Sequence, residues 1–255
     1  MKNFFRKNYN NDERGFTFVE VITVISIFAI MGSIVLFKFN EFNKRATLEN
    51  LAQDVALKVV EAQKSAISGV NSASLGGGIA PAYGMYFANS ATGNANKKII
   101  YFADIPTGAN TEGDKIYQTT GGTSTLPCGT TYGSECLSVT SISTGEYVSR
   151  ICYSTSATVF VCPSTSTSAQ FVYKRPFPDA TMSVCTAPAS CTGYNPASGT
   201  WGSAVPTSTL MIEITSGLDN TIKRTIIGTA LGQIRVHNGS AQNACTSLGT
   251  GYTCP

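Results

Sequence analysis

Few residues in this 255-residue chain are able to do chemistry, and they are unevenly placed. The one histidine, His237, follows Ile234-Arg-Val in a strand-like run. Beyond residue 70 the aspartates are Asp104, Asp114, Asp179 and Asp219, scattered through the sequence. A Ser-His-Asp triad would have to use His237, which reads as an ordinary structural histidine. No G-x-S-x-G, Walker A, H-E-x-x-H or EF-hand loop occurs. A calcium site in a loop would need a ligand spacing that these aspartates do not show. The chain is therefore expected to be no enzyme and to need no cofactor or metal.

Eight cysteines carry the second chemistry: Cys128, Cys136, Cys152, Cys162, Cys185, Cys191, Cys245 and Cys254. None forms a C-x-x-C pair, the spacing structural zinc usually needs. An even number outside the cytoplasm reads as disulfides. Connectivity is open in principle, and some could instead be reduced, buried small hydrophobes. The simplest arrangement joins chain neighbours: 128 to 136, 152 to 162, 185 to 191 and 245 to 254. Each short loop closed this way is worth roughly 2–3 kcal/mol.

The third chemical feature is Glu20, a carboxylate inside an otherwise apolar run. Residues 16–37 read FTFVEVITVISIFAIMGSIVLF, apolar all round and long enough at about 1.5 Å per residue to cross a bilayer core. Ahead of it, Lys2, Arg6, Lys7 and Arg14 outweigh Asp12 and Glu13, placing +2 of the chain's +3 charge there. By the positive-inside rule the amino terminus stays cytoplasmic and the bulk is exported. A cleaved secretory signal fits poorly, because the run is too long and no small-x-small site follows. A plain anchor accounts for the length but not for Glu20, which would cost about 2.5–3.5 kcal/mol at the bilayer centre and less near the interface.

Arg14-Gly15-Phe16-Thr17-Phe18-Val19-Glu20 resembles the processing site of type IV prepilins and type II secretion pseudopilins. The resemblance implies cleavage after Gly15 by a prepilin peptidase, N-methylation of Phe16, and retention of the apolar helix. It also implies that Glu20 faces the new amine of a neighbouring subunit and sets axial register, as a buried polar residue does in a coiled coil. Implied partners are other pilin-like subunits, the peptidase, an inner-membrane assembly platform and membrane lipid. The implied location is the bacterial inner membrane, single-pass with the amino terminus cytoplasmic, and a pilus-like filament after assembly. Charge outside the leader is nearly balanced, so no nucleic-acid partner is expected.

Beyond residue 38 the apolar residues Phe39, Phe42, Leu48, Leu51, Val55, Val59, Ala62 and Ala66 recur mostly at steps of three or four, the pattern of an amphipathic helix. Glu41–Arg45 and Asp54–Lys58 are i,i+4 pairs with the acid first. With no proline in residues 16–70, one helix is expected from Phe16 to about Ser68, ended by Gly69 and 76–78. Many major pilins kink this helix with proline. Its absence here, together with Asn50-Leu-Ala-Gln-Asp-Val-Ala-Leu-Lys-Val-Val-Glu-Ala-Gln and Tyr173-Lys-Arg-Pro-Phe-Pro-Asp-Ala, is similar to the H-type pseudopilins.

After residue 70, short β-type runs alternate with turn-rich gaps: 83–87, 98–102, 137–142, 158–162, 170–174, 210–215, 221–227 and 233–237. Asp219-Asn220 marks a hairpin. Residues 186–207 read as a long surface loop carrying Trp201, either a contact residue or part of the core. The expected fold is α+β: a leader (1–15), a long helix (16–69) and an antiparallel, disulfide-stapled β-rich head (70–255), as the pilin-like resemblance also implies. The expected function is a pseudopilin or minor pilin of a type II secretion-type filament. The alternatives are a type IV pilin for adhesion, motility or DNA uptake, and a membrane-anchored binding module.

Overall fold

The computed structural model describes residues 15–69, 81–105, 113–118, 128, 135–154, 156, 159–176, 179–186, 191–195, 198–248 and 253–254. The leader before Gly15, the glycines at 76–78 and the side chain of Trp201 lie outside the described structure.

Helix α1 runs without interruption over Phe18–Ser68. It begins two residues later than the apolar run, because Thr17 caps it. It ends at Gly69, whose φ of +62° belongs to the left-handed region that glycine enters freely. The chain divides into two compact units, Met1–Asn43 and Lys44–Pro255. The described part of the first unit is a single helical stretch whose large apolar side chains, from Phe16 to Leu36, are all exposed.

The second unit holds the rest of α1 and two antiparallel sheets. The strands are β1 (Ala82–Ala88), β2 (Lys98–Asp104), β3 (Cys136–Ser141), β4 (Tyr147–Ser154), β5 (Phe160–Val161), β6 (Ser168–Tyr173), β7 (Ala180–Cys185), β8 (Tyr194–Asn195), β9 (Thr200–Trp201), β10 (Val205–Thr207), β11 (Thr209–Thr215), β12 (Lys223–Thr229) and β13 (Ile234–Asn238), followed by α2 (Ala241–Ser247). Sheet one is ordered β10-β7-β6-β1-β2-β3 and sheet two β13-β12-β11-β4-β5, while β8 and β9 form a separate small hairpin. Asp219 closes the β11–β12 hairpin by accepting the Thr221 N–H.

One core joins these layers. Leu48, Val55, Val59, Ala62 and Ala66 of α1 pack with Phe87, Phe171 and Tyr173 of sheet one and Ile151, Leu210, Ile212 and Ile226 of sheet two. The expected amphipathic stripe is therefore real from Leu48 onward. Phe39 and Phe42 depart from it, at 57 % and 67 % exposed, because the core against α1 begins only at Leu48. Residues 186–207 also depart from a plain loop: β8 and β9 pair there, and β10 joins the edge of sheet one.

All four neighbouring cysteine pairs, Cys128–Cys136, Cys152–Cys162, Cys185–Cys191 and Cys245–Cys254, are at disulfide distance. Cys152 lies on β4, so its bond ties the segment after β5 to the interior of sheet two. The last bond ties the chain end to α2.

Candidate processing and assembly site

Gly15 precedes the first turn of α1, and a Cβ added there would meet nothing within 4 Å. Among the described residues, therefore, nothing demands glycine at that position. Phe16 follows with 81 % of its surface exposed, and Phe18 is 80 % exposed. Thr17 then starts the helix: its hydroxyl accepts the Glu20 N–H at 3.2 Å, and its carbonyl accepts the Val21 N–H at 3.2 Å. Thr17-x-x-Glu20 has the spacing of a capping box, with the acid in the first turn where the helix dipole favours negative charge. That reading was open to the sequence, since Thr followed three residues later by Glu is a helix-start signal. The Glu20 side chain thus has a local role, its negative charge in the first turn, as well as the intersubunit one expected of it.

Around Glu20 the surface is apolar. Phe16, Glu20, Val21, Val24 and Ile25 line a groove of about 270 Å³ along the helix. The hydroxyls further along do not oppose immersion in lipid, because each donates to a carbonyl of its own helix: Thr23 to Glu20, Ser26 to Ile22 and Ser33 to Ile30. By length and composition α1 qualifies to cross a membrane, and its most apolar window is entirely uncovered within the chain.

Elsewhere the structure assembles what sequence distance concealed. Asp104 and Asp114 are not scattered: with Glu135 they bring carboxylate oxygens within 4.8 Å of one another, a set of donors of the kind that can hold a metal ion. Asp104 accepts the N–H groups of Asp114 and Lys115 at 3.1 and 2.9 Å. Glu135 accepts those of Ile105 and Gln118 at 3.2 and 2.8 Å. The cluster therefore pins residues 114–118 to the end of β2. Burial, then the charge of Asp114, pushes Asp104 up to about 7. Burial, then the charge of Asp104, pushes Glu135 up to about 9.

A second buried carboxylate, Glu213, is only 1 % exposed. It accepts from Lys223 Nζ at 3.0 Å, Ser149 Oγ at 2.8 Å and the first N–H of α2, Ala241, at 2.8 Å. Burial opposes its charge, but the bonds from Ala241, Ser149 and Lys223 outweigh that and hold its carboxyl below the usual range. These contacts fasten α2 to sheet two. His237 sits on β13 opposite Thr225 and belongs to no such acidic cluster among the described residues.

Taken together, the fold and the site define a class: an α+β protein with an uncovered apolar helix suited to membrane anchoring, entered through Gly15, and a head held by disulfides. Residues 10–36 match the family described as Prokaryotic N-terminal methylation motif, the signal of type IV pilin and pseudopilin-type subunits. That motif points to a structural, pilin-like subunit, and it implies processing by a prepilin peptidase and assembly with other pilin subunits. No curated protein and no solved structure matches the chain.

Proposed function

We propose that this chain is a precursor cut after Gly15, methylated at Phe16 and assembled into a pilus-like filament through its apolar helix, with Glu20 setting register. The observation that carries the reading is the coincidence of Gly15, Phe16 and Glu20 at the entrance of an uncovered apolar helix, inside the matched motif. Open space at Gly15 supports an external reason for glycine: an extended backbone without Cβ fits closely into a peptidase. After cleavage the Phe16 amine is a cation. Opposite charges about 4 Å apart at an effective dielectric near 20 attract by about 4 kcal/mol. In an apolar bundle, subunits that align amine and carboxylate are therefore favoured over those out of step.

In this reading residues 1–15 are removed, 16–69 form the helix with 16–37 spanning the inner membrane, and 70–255 form the exported head. The filament is of the type II secretion kind and the subunit an H-type pseudopilin. The unkinked helix, free of proline over residues 16–70, supports that choice over a major pilin. Mass spectrometry of the membrane-extracted protein tests the processing step. A mature chain beginning with methylated Phe16 is expected, along with accumulation of precursor in Gly15→Leu. Normal trimming of Gly15→Leu would overturn it.

A further inference from the structure

Hairpin tips are ordinarily polar, yet the β11–β12 tip carries Leu218 with 73 % of its surface exposed. The tip is rigid. The Ser216 N–H donates to the Ile222 carbonyl at 3.1 Å, and the Ile222 N–H to the Asp219 carbonyl at 3.0 Å. Asp219 is occupied by the Thr221 N–H and hydroxyl at 3.0 and 2.6 Å, and Tyr147 donates to Asn220 at 3.3 Å. A large apolar side chain is thus held out on a fixed support.

The tip also has a distinct neighbour. Bonds from Thr221 hold the Asp219 carboxyl below its usual range, with smaller contributions from the charges of Lys44 and Arg45. Geometry agrees: Arg224, at the start of β12, donates to Glu49 of α1, and Ile222 shares the core with Leu48, so this end of the hairpin lies beside the first residues of the second unit. Seven steps of continuous helix lead from residue 37, the end of the apolar run, to Lys44, about 10 Å at 1.5 Å per residue. Headgroups extend roughly 5–8 Å beyond the hydrocarbon on each side of a bilayer. If residues 16–37 span the membrane, the tether alone keeps Lys44 and Arg45 close to the headgroups, at any angle the helix takes. Cationic side chains beside an exposed leucine suit a phospholipid surface, which offers acyl chain and phosphate together.

We propose that the β11–β12 tip, with Leu218 at its apex, rests in the headgroup layer of the membrane that anchors the same chain, steadying the head before a filament takes up the subunit. The proposal rests on the anchor reading above. The fold supplies its own control: Leu231 is 70 % exposed, in the turn between β12 and β13 at the other end of the seven-residue strand β12.

The test uses the full chain in phospholipid vesicles. In a Trp201→Phe background, Leu218→Trp and Leu231→Trp each introduce the sole indole, read by quenching with lipids brominated near the headgroup. Emission from the position-218 variant is expected to be quenched and blue-shifted, and that from the position-231 variant to stay at its lipid-free level. In the unaltered chain, a photoactivated carbene probe confined to the bilayer should label Leu218 and spare Leu231. Equal quenching or equal labelling at the two sites, or none at 218, would overturn the proposal. Flotation of the protein with the vesicles separates the two failures: a chain that floats with 218 unquenched refutes the docking, and one that does not float refutes the anchor.

Discussion

Glu20 has two separable roles, and substitution distinguishes them. The Thr17 hydroxyl accepts the backbone N–H of residue 20, a bond that Gln or Ala there keeps, so the local contribution of the Glu20 side chain is its negative charge in the first turn. Losing a cap costs about 0.5–2 kcal/mol, and losing a first-turn negative charge about 0.3–1 kcal/mol. The proposed contact with a neighbour's amine is worth more, about 4 kcal/mol, or roughly a thousandfold in pairwise association. Glu20→Gln retains the capping-box residue type and removes only the charge. Thr17→Ala removes the cap acceptor and leaves the charge. The assay is the ladder of crosslinked subunits formed in membranes, with cleavage and insertion measured on the same samples. Glu20→Gln is expected to be inserted and to lose the ladder nearly as fully as Glu20→Ala. Thr17→Ala should keep most of it. A normal ladder in Glu20→Gln with loss in Thr17→Ala would refute charge pairing and leave Glu20 a helix-start residue.

Three further outcomes follow from the head. Phe171→Ala removes a fully buried ring packed edge-on against Phe87, and chemical denaturation should show a loss of about 3–5 kcal/mol. Disrupting Cys245–Cys254 by double serine substitution opens a loop of nine-residue separation and should cost about 2.5–3 kcal/mol, read by the same assay. Asp104 and Glu135 have folded values, about 7 and about 9, raised above their unfolded values of roughly 4. The folded chain therefore keeps protons that the unfolded chain has released. That stabilisation is complete below about pH 4 and falls as pH rises, until it is lost above about pH 7 for Asp104 and about pH 9 for Glu135. The decline is at most about 1.4 kcal/mol per pH unit for each proton. Denaturation midpoints between pH 5.5 and 9 should fall less steeply in Glu135→Gln than in the unaltered chain, and an identical slope would count against the cluster's role.

The amino-terminal features were legible in the sequence because they are local. An apolar run, a glycine before it and an acid five residues after that glycine need no distant partner to be recognised. The disulfide pairs were accessible for the same reason, each joining cysteines six to ten residues apart. Strands β4 and β7 were not among the expected runs. Ser149 and Arg150 interrupt the apolar pattern of β4, and Ala180, Thr181 and Ser183 dilute that of β7. Both nevertheless lie inside sheets, where neighbouring strands bury polar side chains that can hydrogen-bond: Ser183 accepts from Gln170, and Ser149 donates to Glu213.

Only the tertiary structure decided where the amphipathic stripe becomes core. Periodicity gives Phe39 and Leu48 the same status, whereas burial depends on whether other elements cover them. It also decided that Asp104, Asp114 and Glu135 form one cluster, since the β2–β3 pairing closes a distance the chain leaves open. Residue types and short spacings fix helix boundaries, caps and processing signals through bonds within a few residues. Charge clusters and exposed tips such as Leu218 depend on strand pairing between distant segments, a property of the folded chain that no short window contains.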